Sequence, residues 1–395
     1  MARVRKQNGL SKKPKSTFQK TRRMIRHCGI ESFISKIANR GGKNPIEQRD
    51  RFIEECLADE ECLADITAGL TMNQTPGQMR VMSWNGYYGR VVNPNSDNAN
   101  YIDPSHMLNS ISMMLDKNID VIGVQEVCPE KREMGEDEIM KMKERYGGFG
   151  EEWQEDGPLS FTNFQTWVTA FETFRNKESE RAHIIFTAAR DSSMWNLKFG
   201  NLLVINKNSN TLVNTIENDC LLPTISEDIE GRACTACIID NAMIGKVIVA
   251  NTHFTEKVVG KSGERQFEMA NALTTFLDDV QRSGDCSQMV LCGDFNVNAS
   301  SLMIDHAKQI CLRNPFLHPH SDCDMYIHMK EQGWLCEQDK AREENKVVTT
   351  GWNAGSIDHV FYKNVILTMY AILPPRTKEN QILSDHCWVA GTFSN

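Results

Sequence analysis

Short apolar runs that stop at a polar side chain recur along the chain from residue 79 onward. Three of these runs are Met79–Trp84, Val121–Val124 and Met289–Cys292. An amide or a carboxylate follows each of them, namely Asn85, Glu126 and Asp294. A continuous apolar run bounded by a turn is typical of a strand covered on both faces. The pattern predicts buried strands that present polar groups to one cleft, because α/β sheets bind ligands at the carboxyl ends of their strands.

Amphipathic helices and further strands are predicted between these runs. One helix begins at Asp103-Pro104, and its apolar face consists of Met107, Leu108, Ile111, Met114 and Leu115. A second helix has Ser262 as its expected N-cap and an inner face formed by Phe267, Ala270, Leu273, Phe276, Leu277 and Val280. Further strands are predicted at Phe199–Ile205, after Gly231-Arg232 and through Ile239, and at Lys246–Ala250. This succession of strands and helices predicts an α/β domain.

Two insertions interrupt the succession, at residues 128–180 and 312–350. The first is rich in aromatic residues near helical spacing, which favours helices packed on the domain over an exposed base-stacking surface. A helix is predicted near Ser301–Cys311, followed by a loop region that contains His318, His320, Cys323 and His328. The irregular spacing of this His/Cys group favours a surface insertion over a zinc site.

Composition limits the class of protein. The 395 residues include 40% apolar residues and seven Trp, enough for a large core, and no run of about 18 apolar residues predicts a transmembrane helix. The thirteen Cys are odd in number and scattered, with no apolar signal sequence ahead of them, which predicts reduced thiols in the nucleus or cytoplasm. Cys234 and Cys237 form the one close pair, and we expect buried thiols there rather than zinc ligands.

Charge is concentrated at the N-terminus. Residues 1–30 hold ten Lys and Arg and no acid, so the rest of the chain is strongly acidic. Such an arm can bind an acidic polymer, serve as a nuclear or mitochondrial address, or act as a disordered solubilising tail. Asn44-Pro45-Ile46-Glu47 then carries a helix-start signature. We therefore predict a basic arm at 1–43, a helical segment and linker at 44–77, and the main domain at 78–395.

Polar motifs occur in a fixed order through this main domain. They are Trp84-Asn85, Gln125-Glu126, Asn251-Thr252-His253, Gly293-Asp294-Phe295-Asn296, Ile357-Asp358 and Ser384-Asp385-His386. This series resembles the endonuclease/exonuclease/phosphatase superfamily over about four-fifths of the chain. The resemblance implies a deoxyribonuclease-I-like fold, a two-sheet, four-layer α/β sandwich, here with a helical, basic N-terminal extension. It also implies one metal-dependent phosphoester site where loops of both sheets meet.

The resemblance assigns ligands to a metal ion. Glu126 is the principal ligand, Asn85 lies beside it on metal or phosphate, and Asp385 is a further ligand. Mg²⁺ is the expected ion, with Mn²⁺ as an alternative, because Mg²⁺ prefers oxygen ligands and needs only one or two carboxylates.

The resemblance also assigns groups to the reaction. Asp294 orients or deprotonates the attacking water, and Asn296 donates a hydrogen bond to the phosphoryl oxygen as charge develops there. His386 is a general base or a cationic donor whose ring Asp358 holds. His253 is the second acid/base candidate, in contact with the substrate near its leaving group. The division of roles between the two histidines stays open.

Departures from subfamily patterns narrow the expected substrate. Inositol-polyphosphate phosphatases of this fold carry Trp-x-Asp-Arg where this chain has Ser356-Ile357-Asp358-His359, and abasic-site endonucleases lack the Thr252-His253 element. The C-terminal motifs are most similar to those of deadenylases and related exonucleases. We expect a Mg²⁺-dependent nuclease acting on nucleic acid. The alternatives are a hydrolase of small phosphodiesters or of phospholipids, similar to sphingomyelinases, and a repair enzyme similar to tyrosyl-DNA phosphodiesterases. A non-catalytic binding module is a further alternative, which the complete motif set disfavours.

Overall fold

Two β-sheets form the centre of the fold. The computed structural model describes residues 77–92, 100–131, 161–194, 197–216, 220–222, 232–255, 264–297, 322–343, 357–373, 384 and 386–395. All of them belong to one unit, Ile66–Asn395. The predicted boundaries of the arm and of the helical segment, and the predicted helix near Ser301–Cys311, lie outside the described residues.

Strands and helices within these ranges are numbered in chain order. The strands are β1 (Met79–Asn85), β2 (Arg90–Val92), β3 (Asn100–Ile102), β4 (Val121–Lys131), β5 (Ala182–Met194), β6 (Leu197–Asn206), β7 (Asn210–Thr215), β8 (Cys220–Leu222), β9 (Arg232–Asn241), β10 (Gly245–His253), β11 (Gln288–Asp294), β12 (Leu335–Cys336), β13 (Asp358–Lys363), β14 (Ile366–Leu373) and β15 (Trp388–Ser394). The α-helices are α1 (Pro104–Asp116), α2 (Phe161–Glu178), α3 (Glu264–Gly284), α4 (Asp322–Glu331) and α5 (Glu337–Glu343).

Each sheet contains one parallel strand pair among antiparallel neighbours. The first sheet has the order β14-β15-β1-β4-β6-β5, and β1 is parallel to β4. The second has the order β12-β13-β11-β10-β9-β7, with β8 on β9, and β10 is parallel to β11. Helices α1 and α3 lie between the members of the two pairs in sequence, as parallel neighbours require a crossover. In the antiparallel β1–β15 pair, Met79 stands opposite Phe393.

Three groups of buried apolar side chains separate four layers. The group between the sheets includes Val81 and Val121 of the first sheet and Val249 and Val290 of the second. A second group joins the outer face of the first sheet to α1 and α2, and a third joins the second sheet to α3 and α4. The layers are therefore helix, sheet, sheet, helix, which confirms the predicted two-sheet α/β sandwich.

Helix α1 follows from its sequence. Asp103 is its N-cap and accepts a hydrogen bond from the backbone N–H of Ser105 at 3.0 Å, while Pro104 occupies the first turn, where a missing N–H costs nothing. The five apolar residues predicted for its inner face are all buried. Helix α2 confirms, for part of the first insertion, the prediction of helices packed on the domain, since Trp167, Phe171 and Phe174 are buried against the first sheet.

The loop prediction for residues 312–350 is wrong over the part that the structure describes. Residues 322–343 form α4, the short strand β12 and α5. His328 is buried in α4, and its Nε2 lies 3.2 Å from the hydroxyl of Thr274 on α3. The apolar residues of α4 do not form a regular stripe. The packing of α4 against α3 therefore stabilises the helix, and the spacing of its apolar residues could not have predicted a helix here.

Cys234 and Cys237 lie on opposite faces of β9. Cys234 belongs to the core beside α3, whereas Cys237 belongs to the core between the sheets, as a spacing of three residues in a strand requires. Burial raises the pKa of the Cys237 thiol. The two sulfurs cannot share an ion, so the prediction of buried thiols is confirmed. Among the described residues, no helix has an apolar stretch that could cross a bilayer.

Candidate active site

Ends of strands from both sheets meet at one end of the sandwich. Asn85, at the end of β1, pairs with Gln125 on β4. Glu126 is the next residue along β4, so its side chain lies close to that of Asn85. In the second sheet His253, Asp294 and Asp358 stand side by side on β10, β11 and β13. Side chains in register on adjacent strands project to the same side. The predicted motifs therefore converge, although 209 residues separate the hydrogen-bonded partners Asn85 and Asp294 and 299 separate Asn85 and Ser384.

Asn85 lies between two carboxylates. Its Nδ2 donates to Oε1 of Glu126 at 3.1 Å and to Oδ2 of Asp294 at 2.9 Å. Its amide oxygen accepts from the backbone N–H of Tyr87 at 2.9 Å, which fixes the orientation of the amide. In this arrangement Asn85 joins the two acids through its nitrogen. Its predicted contact with a metal ion or a phosphate stays a prediction.

Two site residues adopt left-handed backbone conformations. Glu126 has φ of 57° and Asn296 has φ of 50°. Glu126 lies where the pairing of β4 with β6 shifts register, between Val124 and Val127, and such a bulge turns a side chain out of the strand alternation. Two hydrogen bonds hold Asn296. Its backbone N–H donates to Oδ1 of Asp294, and its side-chain Nδ2 donates to the carbonyl of Phe254. Such strained positions concentrate at functional sites.

His386 is held by groups from both sheets. Its Nδ1 lies 2.8 and 3.0 Å from the two carboxylate oxygens of Asp358. Its backbone N–H donates to Oγ of Ser384, which in turn donates to the carbonyl of Asn85 at 2.7 Å. Nδ1 is also 3.8 Å from Oδ2 of Asp294. The Asp358 carboxylate therefore contacts the ring, its catalytic role stays a prediction, and Ser384 is a support that the sequence did not indicate.

His253 has a cation on one side and acids on the other. Nη1 of Arg232, the first residue of β9, lies 3.2 Å from its Nδ1. Its Nε2 lies 3.7 Å from Oε1 of Glu126, 3.6 Å from Oδ2 of Asp294 and 3.2 Å from Nδ2 of Asn296. Arg232 lies outside the sequence motifs that predicted the site. A cation at the start of an otherwise apolar strand was the one signal that could have suggested it.

Burial dominates the electrostatics of the site. Asp294 is 1% exposed, and burial together with the charge of Asp358 raises its pKa to about 7, although His386 and the hydrogen bonds from Asn85 and Asn296 oppose the shift. Burial, and then the charges of Arg232 and His386, hold the pKa of His253 well below its usual value. Both shifts favour the uncharged forms of Asp294 and His253 relative to the same groups in water.

Several solved structures share this architecture. No family model and no curated protein matches the chain. Among solved structures, the human Nocturnin catalytic domain with bound sulfate matches with a TM-score of 0.50 and 16% identity, over 82% of this chain and 94% of that chain. An endonuclease/exonuclease/phosphatase from Bacteroides vulgatus matches with a TM-score of 0.47 and 16% identity, over 80% and 98%. Humanized D. rerio TDP2 matches with a TM-score of 0.46 and 12% identity, over 81% and 100%.

The chain has the endonuclease/exonuclease/phosphatase fold. At these identities the likeness concerns the fold, and the predicted resemblance is confirmed at that level. In this endonuclease/exonuclease/phosphatase fold the two sheets are tied together just behind the site. Nε2 of Gln125 donates to Oδ1 of Asn251 at 2.5 Å, and Nδ2 of Asn251 donates to the carbonyls of Val124 and Leu202 at 2.9 Å. A Cβ on Gly123 would lie 2.8 Å from Cβ of Cys292, so only glycine permits this approach.

The donor set of this fold fits a hard cation. Oxygens of Glu126 and Asp294 approach the same nitrogen of Asn85, and Asp294, Asp358 and His386 offer ligand atoms within 4.8 Å of one another. Carboxylate oxygens suit Mg²⁺, and a cation offsets the cost of ionising several buried acids together. The residues present therefore fit Mg²⁺. Asp385, the further predicted ligand, lies outside the described residues.

A second buried cluster lies behind β13. Oε1 of Glu337 is 2.7 Å from Nδ1 of His359, and its Oε2 accepts from the N–H of Val360 at 3.0 Å. Burial by itself would lower the pKa of His359, but Glu337, Asp358 and the Val297 backbone raise it overall. Both Glu337 oxygens are thus engaged, and the cluster braces α5 against the strand that carries Asp358.

Proposed function

We propose that this protein is a metal-dependent hydrolase of phosphoric esters whose substrate is a single-stranded nucleic acid. One observation supports the hydrolysis of phosphoric esters: buried carboxylates, imidazoles and an amide converge on one point. Polar atoms of Asn85, His253 and His386 lie within 3.8 Å of Asp294 Oδ2 or Glu126 Oε1. Phosphoester hydrolysis needs a positioned water, neutralisation of charge on the phosphoryl oxygens and help for the leaving oxygen. The convergent groups can supply each of these.

The side chains divide these tasks. Asp294, with a pKa of about 7, can accept a proton from an attacking water near neutral pH. The Asn296 amide donates to a phosphoryl oxygen, where one such donor contributes about 10²–10³ in rate. His386, held by Asp358, takes up or delivers a proton as imidazolium. A Mg²⁺ ion held by Glu126, with Asp294 nearby, would supply charge neutralisation at the phosphoryl oxygens.

Two aromatic residues follow Asn85 closely, and the first of them, Tyr87, supports a substrate that contains bases. Tyr87 and Tyr88 are half-buried, and their ring centroids lie 5.9 Å apart. Both have left-handed backbones, with φ of 43° and 55°, which bulky residues rarely adopt. Nε1 of Trp167 holds this turn by donating to the carbonyl of Tyr88 at 2.8 Å. The Tyr88 ring packs on Phe199 in the core, with 5.5 Å between ring centroids, so Tyr87 is the ring of the two that suits stacking on a base, worth about 1–3 kcal/mol.

The basic N-terminal arm favours a polyanionic substrate, and the C-terminal motifs resemble those of exonuclease relatives. We therefore expect hydrolysis of single-stranded RNA in preference to DNA, by stepwise shortening. Phosphate neutralisation by basic residues supplies much of the affinity for such polymers.

A substrate panel tests the proposal. Labelled poly(A), mixed-sequence RNA, single- and double-stranded DNA, 5′-tyrosyl DNA and sphingomyelin are incubated with the protein in Mg²⁺ and in EDTA. Stepwise shortening of RNA that stops in EDTA is the expected result. Internal cuts would make the protein an endonuclease, and action on 5′-tyrosyl DNA alone would make it a repair enzyme. Turnover of sphingomyelin with no action on nucleic acid would overturn the nucleic-acid part.

Matched variants connect the activity to the site. Asp294→Ala and Glu126→Ala should abolish turnover, whereas Asn296→Ala should reduce it by about 10²–10³ and leave detectable activity. Asp240→Ala, which removes an exposed carboxylate from β9, is the control and should retain activity. Tyr87→Phe should preserve KM for an oligonucleotide, and Tyr87→Leu should raise it. Wild-type activity of Asp294→Ala under saturating Mg²⁺ would refute the assignment of the site.

A further inference from the structure

Glu337 holds the edge of β13 at the point where β12 ends. The short strand β12 pairs its last residue, Cys336, with Phe361, and the chain then enters α5. The side chain of Glu337, rather than its backbone, makes the next contact with β13, because its Oε2 accepts from the N–H of Val360 at 3.0 Å. Val360 is 1% exposed. A buried backbone donor requires a partner, and Glu337 provides it.

The second oxygen of Glu337 binds the preceding residue of β13. Oε1 lies 2.7 Å from Nδ1 of His359, and both side chains are buried. Since a carboxylate only accepts hydrogen bonds, His359 donates from Nδ1. Hydrogen bonds to an ionised acceptor are stronger than those between neutral groups. One carboxylate of α5 therefore holds two consecutive residues of β13.

These two residues directly follow Asp358, which contacts His386 with both carboxylate oxygens. Successive side chains of a strand point to opposite faces. Val360 belongs to the core between the sheets, so His359 faces the helices on the outer side of the second sheet. Glu337 thus holds the backbone next to Asp358 from the side opposite the site.

We propose that Glu337 and His359 are positioning residues of the active site, which hold the start of β13 so that the Asp358 carboxylate keeps both contacts with His386. The proposal rests on the proposed function for the reaction that these contacts serve. Both residues act through Asp358, so neither is a catalytic residue. The insertion at 312–350, predicted as a surface loop, thereby supplies a support of the site.

The ring of His359 also contacts the end of β11. Its centre lies 5.9 Å from that of Phe295, the residue between Asp294 and Asn296. The N–H of Phe295 donates to the carbonyl of Ile357 at 2.8 Å, just before β13 begins. A ring contact and a backbone hydrogen bond therefore join the ends of the two strands. A displacement of His359 would reach the site through β11 as well as through β13.

Asp339 fixes the segment that carries Glu337. Its Oδ1 accepts from the hydroxyl of Tyr326 at 2.8 Å and from Nζ of Lys330 at 2.7 Å, both on α4. Its Oδ2 accepts from the N–H of Cys336 at 2.8 Å. This carboxylate joins α4, β12 and α5 into one unit. A side chain whose own support is fixed holds a site residue more precisely, and Glu337 is supported in this way.

Kinetics of full-length variants test the positioning. Glu337→Gln keeps the shape of the side chain but offers one oxygen to two N–H donors, so one contact is lost. We expect kcat on labelled RNA in saturating Mg²⁺ to fall by about 10²-fold, the effect of a small misplacement of a reacting group, with KM unchanged. Glu331→Gln, the same change at the exposed end of α4, is the control and should retain activity. Wild-type kcat in folded Glu337→Gln would overturn the proposal.

A double-variant cycle separates positioning from a general loss of stability. If Glu337 acts through Asp358, Glu337→Gln should add little to the loss of kcat caused by Asp358→Asn, because the contact that Glu337 maintains is already impaired. Losses that multiply independently would refute the action through Asp358.

The two ring nitrogens of His359 can be replaced one at a time, which keeps the proposal testable if Glu337→Gln does not fold. His359→Asn places an amide N–H near the position of Nδ1 and should retain most of kcat. His359→Gln places it near the position of Nε2 and should lose about as much as Glu337→Gln. Equal kcat values for the two His359 variants would contradict the role of the Nδ1 contact.

Hydrogen exchange in the metal-free protein measures the hold on β13 without any turnover. The N–H of Val360 should exchange about 10-fold faster in Glu337→Gln, the effect of one unsatisfied buried donor, while the amides of β4 in the other sheet keep their wild-type rates. Equal acceleration in both strands would mean that Glu337 stabilises only the fold as a whole, and the proposal would fail.

These measurements distinguish the two proposals. If the exchange is as expected but no phosphoric ester is hydrolysed, the hold of Glu337 on β13 stands and the proposed function fails. If the wild type and Glu337→Gln hydrolyse RNA at the same rate, the proposed function stands and the positioning by Glu337 fails.

Discussion

Asp358 approaches Nδ1 of His386 with both carboxylate oxygens, at 2.8 and 3.0 Å, and thereby joins the second sheet to the segment that leads into the last strand of the first. Asp358 is fully buried, so its charge is poorly screened by solvent. The contact fixes the ring orientation and stabilises a proton on it.

Asp358→Asn should therefore impair catalysis without unfolding the protein. An amide retains the shape but not the charge, so the imidazolium of His386 loses its stabilisation. We expect kcat to fall by about 10²–10⁴, the range for a positioned acid or base. The measurement is kcat under saturating Mg²⁺, with a thermal melt of each variant. Asp240→Asn, the same change at an exposed position, is the control, and equal kcat values for both variants would contradict the role of Asp358.

The raised pKa of Asp294 should make the metal-free protein less stable as pH rises. A carboxyl whose pKa is about 7 in the folded state, against its usual value near 3.8, binds a proton more tightly when folded. Its contribution is full below about pH 4 and is lost as pH rises through about 7, by at most about 4 kcal/mol. Urea unfolding in EDTA across this range measures the loss, and Mg²⁺ should reduce it.

Asp294→Asn should remove most of this pH dependence, because an amide does not titrate. Asp240→Asn should keep the wild-type dependence. Parallel pH curves for the wild type and Asp294→Asn would show that another group is responsible.

The amide tie between the sheets should be a single energetic unit. Gln125→Ala and Asn251→Ala each leave buried polar partners unsatisfied, at a cost of about 1–3 kcal/mol per group. The double variant should lose less than the sum of the two, because both single changes break the same bond. Urea unfolding free energies of the two singles and the double measure this coupling. Strict additivity would mean that the Gln125–Asn251 bond contributes nothing, and Asn208→Ala, at an exposed turn, serves as the control.

The basic arm should control the salt dependence of substrate binding. For single-stranded nucleic acid, each phosphate contact adds about 0.7 to the slope of log affinity against log salt. Replacement of Arg22, Arg23 and Arg26 by Gln should lower that slope and leave kcat on short substrates unchanged. The matched control replaces three basic residues of the domain, Lys177, Lys207 and Arg282. If the two triple variants have equal slopes, the arm does not contact the substrate backbone.

Local sequence was sufficient for the centre of the fold and insufficient at its edges. Strands β1, β4 and β11 are covered on both faces, so their apolar runs and the polar residues after them could be found from sequence. Strands β5 and β14 lie at the edges of the first sheet, and β14 exposes Ile366 and Met369. Neither strand was predicted, although β14 contains the apolar run Met369–Leu373, because no polar motif residue follows either strand as one follows β1, β4 and β11.

Side-chain pairings in the site depended on the tertiary structure. The motifs identified His253 and His386, but not the partners of their ring nitrogens. Arg232 on β9 contacts His253 on the adjacent strand β10, and nothing in the residues near Arg232 in sequence indicates this contact. The same limit applies to Tyr87 and Tyr88, whose position beside Asn85 depends on Trp167, 79 residues away from Tyr88.

The antiparallel pairing of β1 with β15 determines where fused groups would sit. Met79 and Phe393 are neighbours, and β1 runs seven residues from there to Asn85, a distance of about 20 Å at about 3.3 Å per residue. A fluorophore or affinity tag attached after Asn395 would therefore emerge at the far end of the sandwich from the substrate. The same proximity would permit circular permutation, in which a short linker joins residues 79 and 395 and new termini open in the turn at Lys207–Ser209.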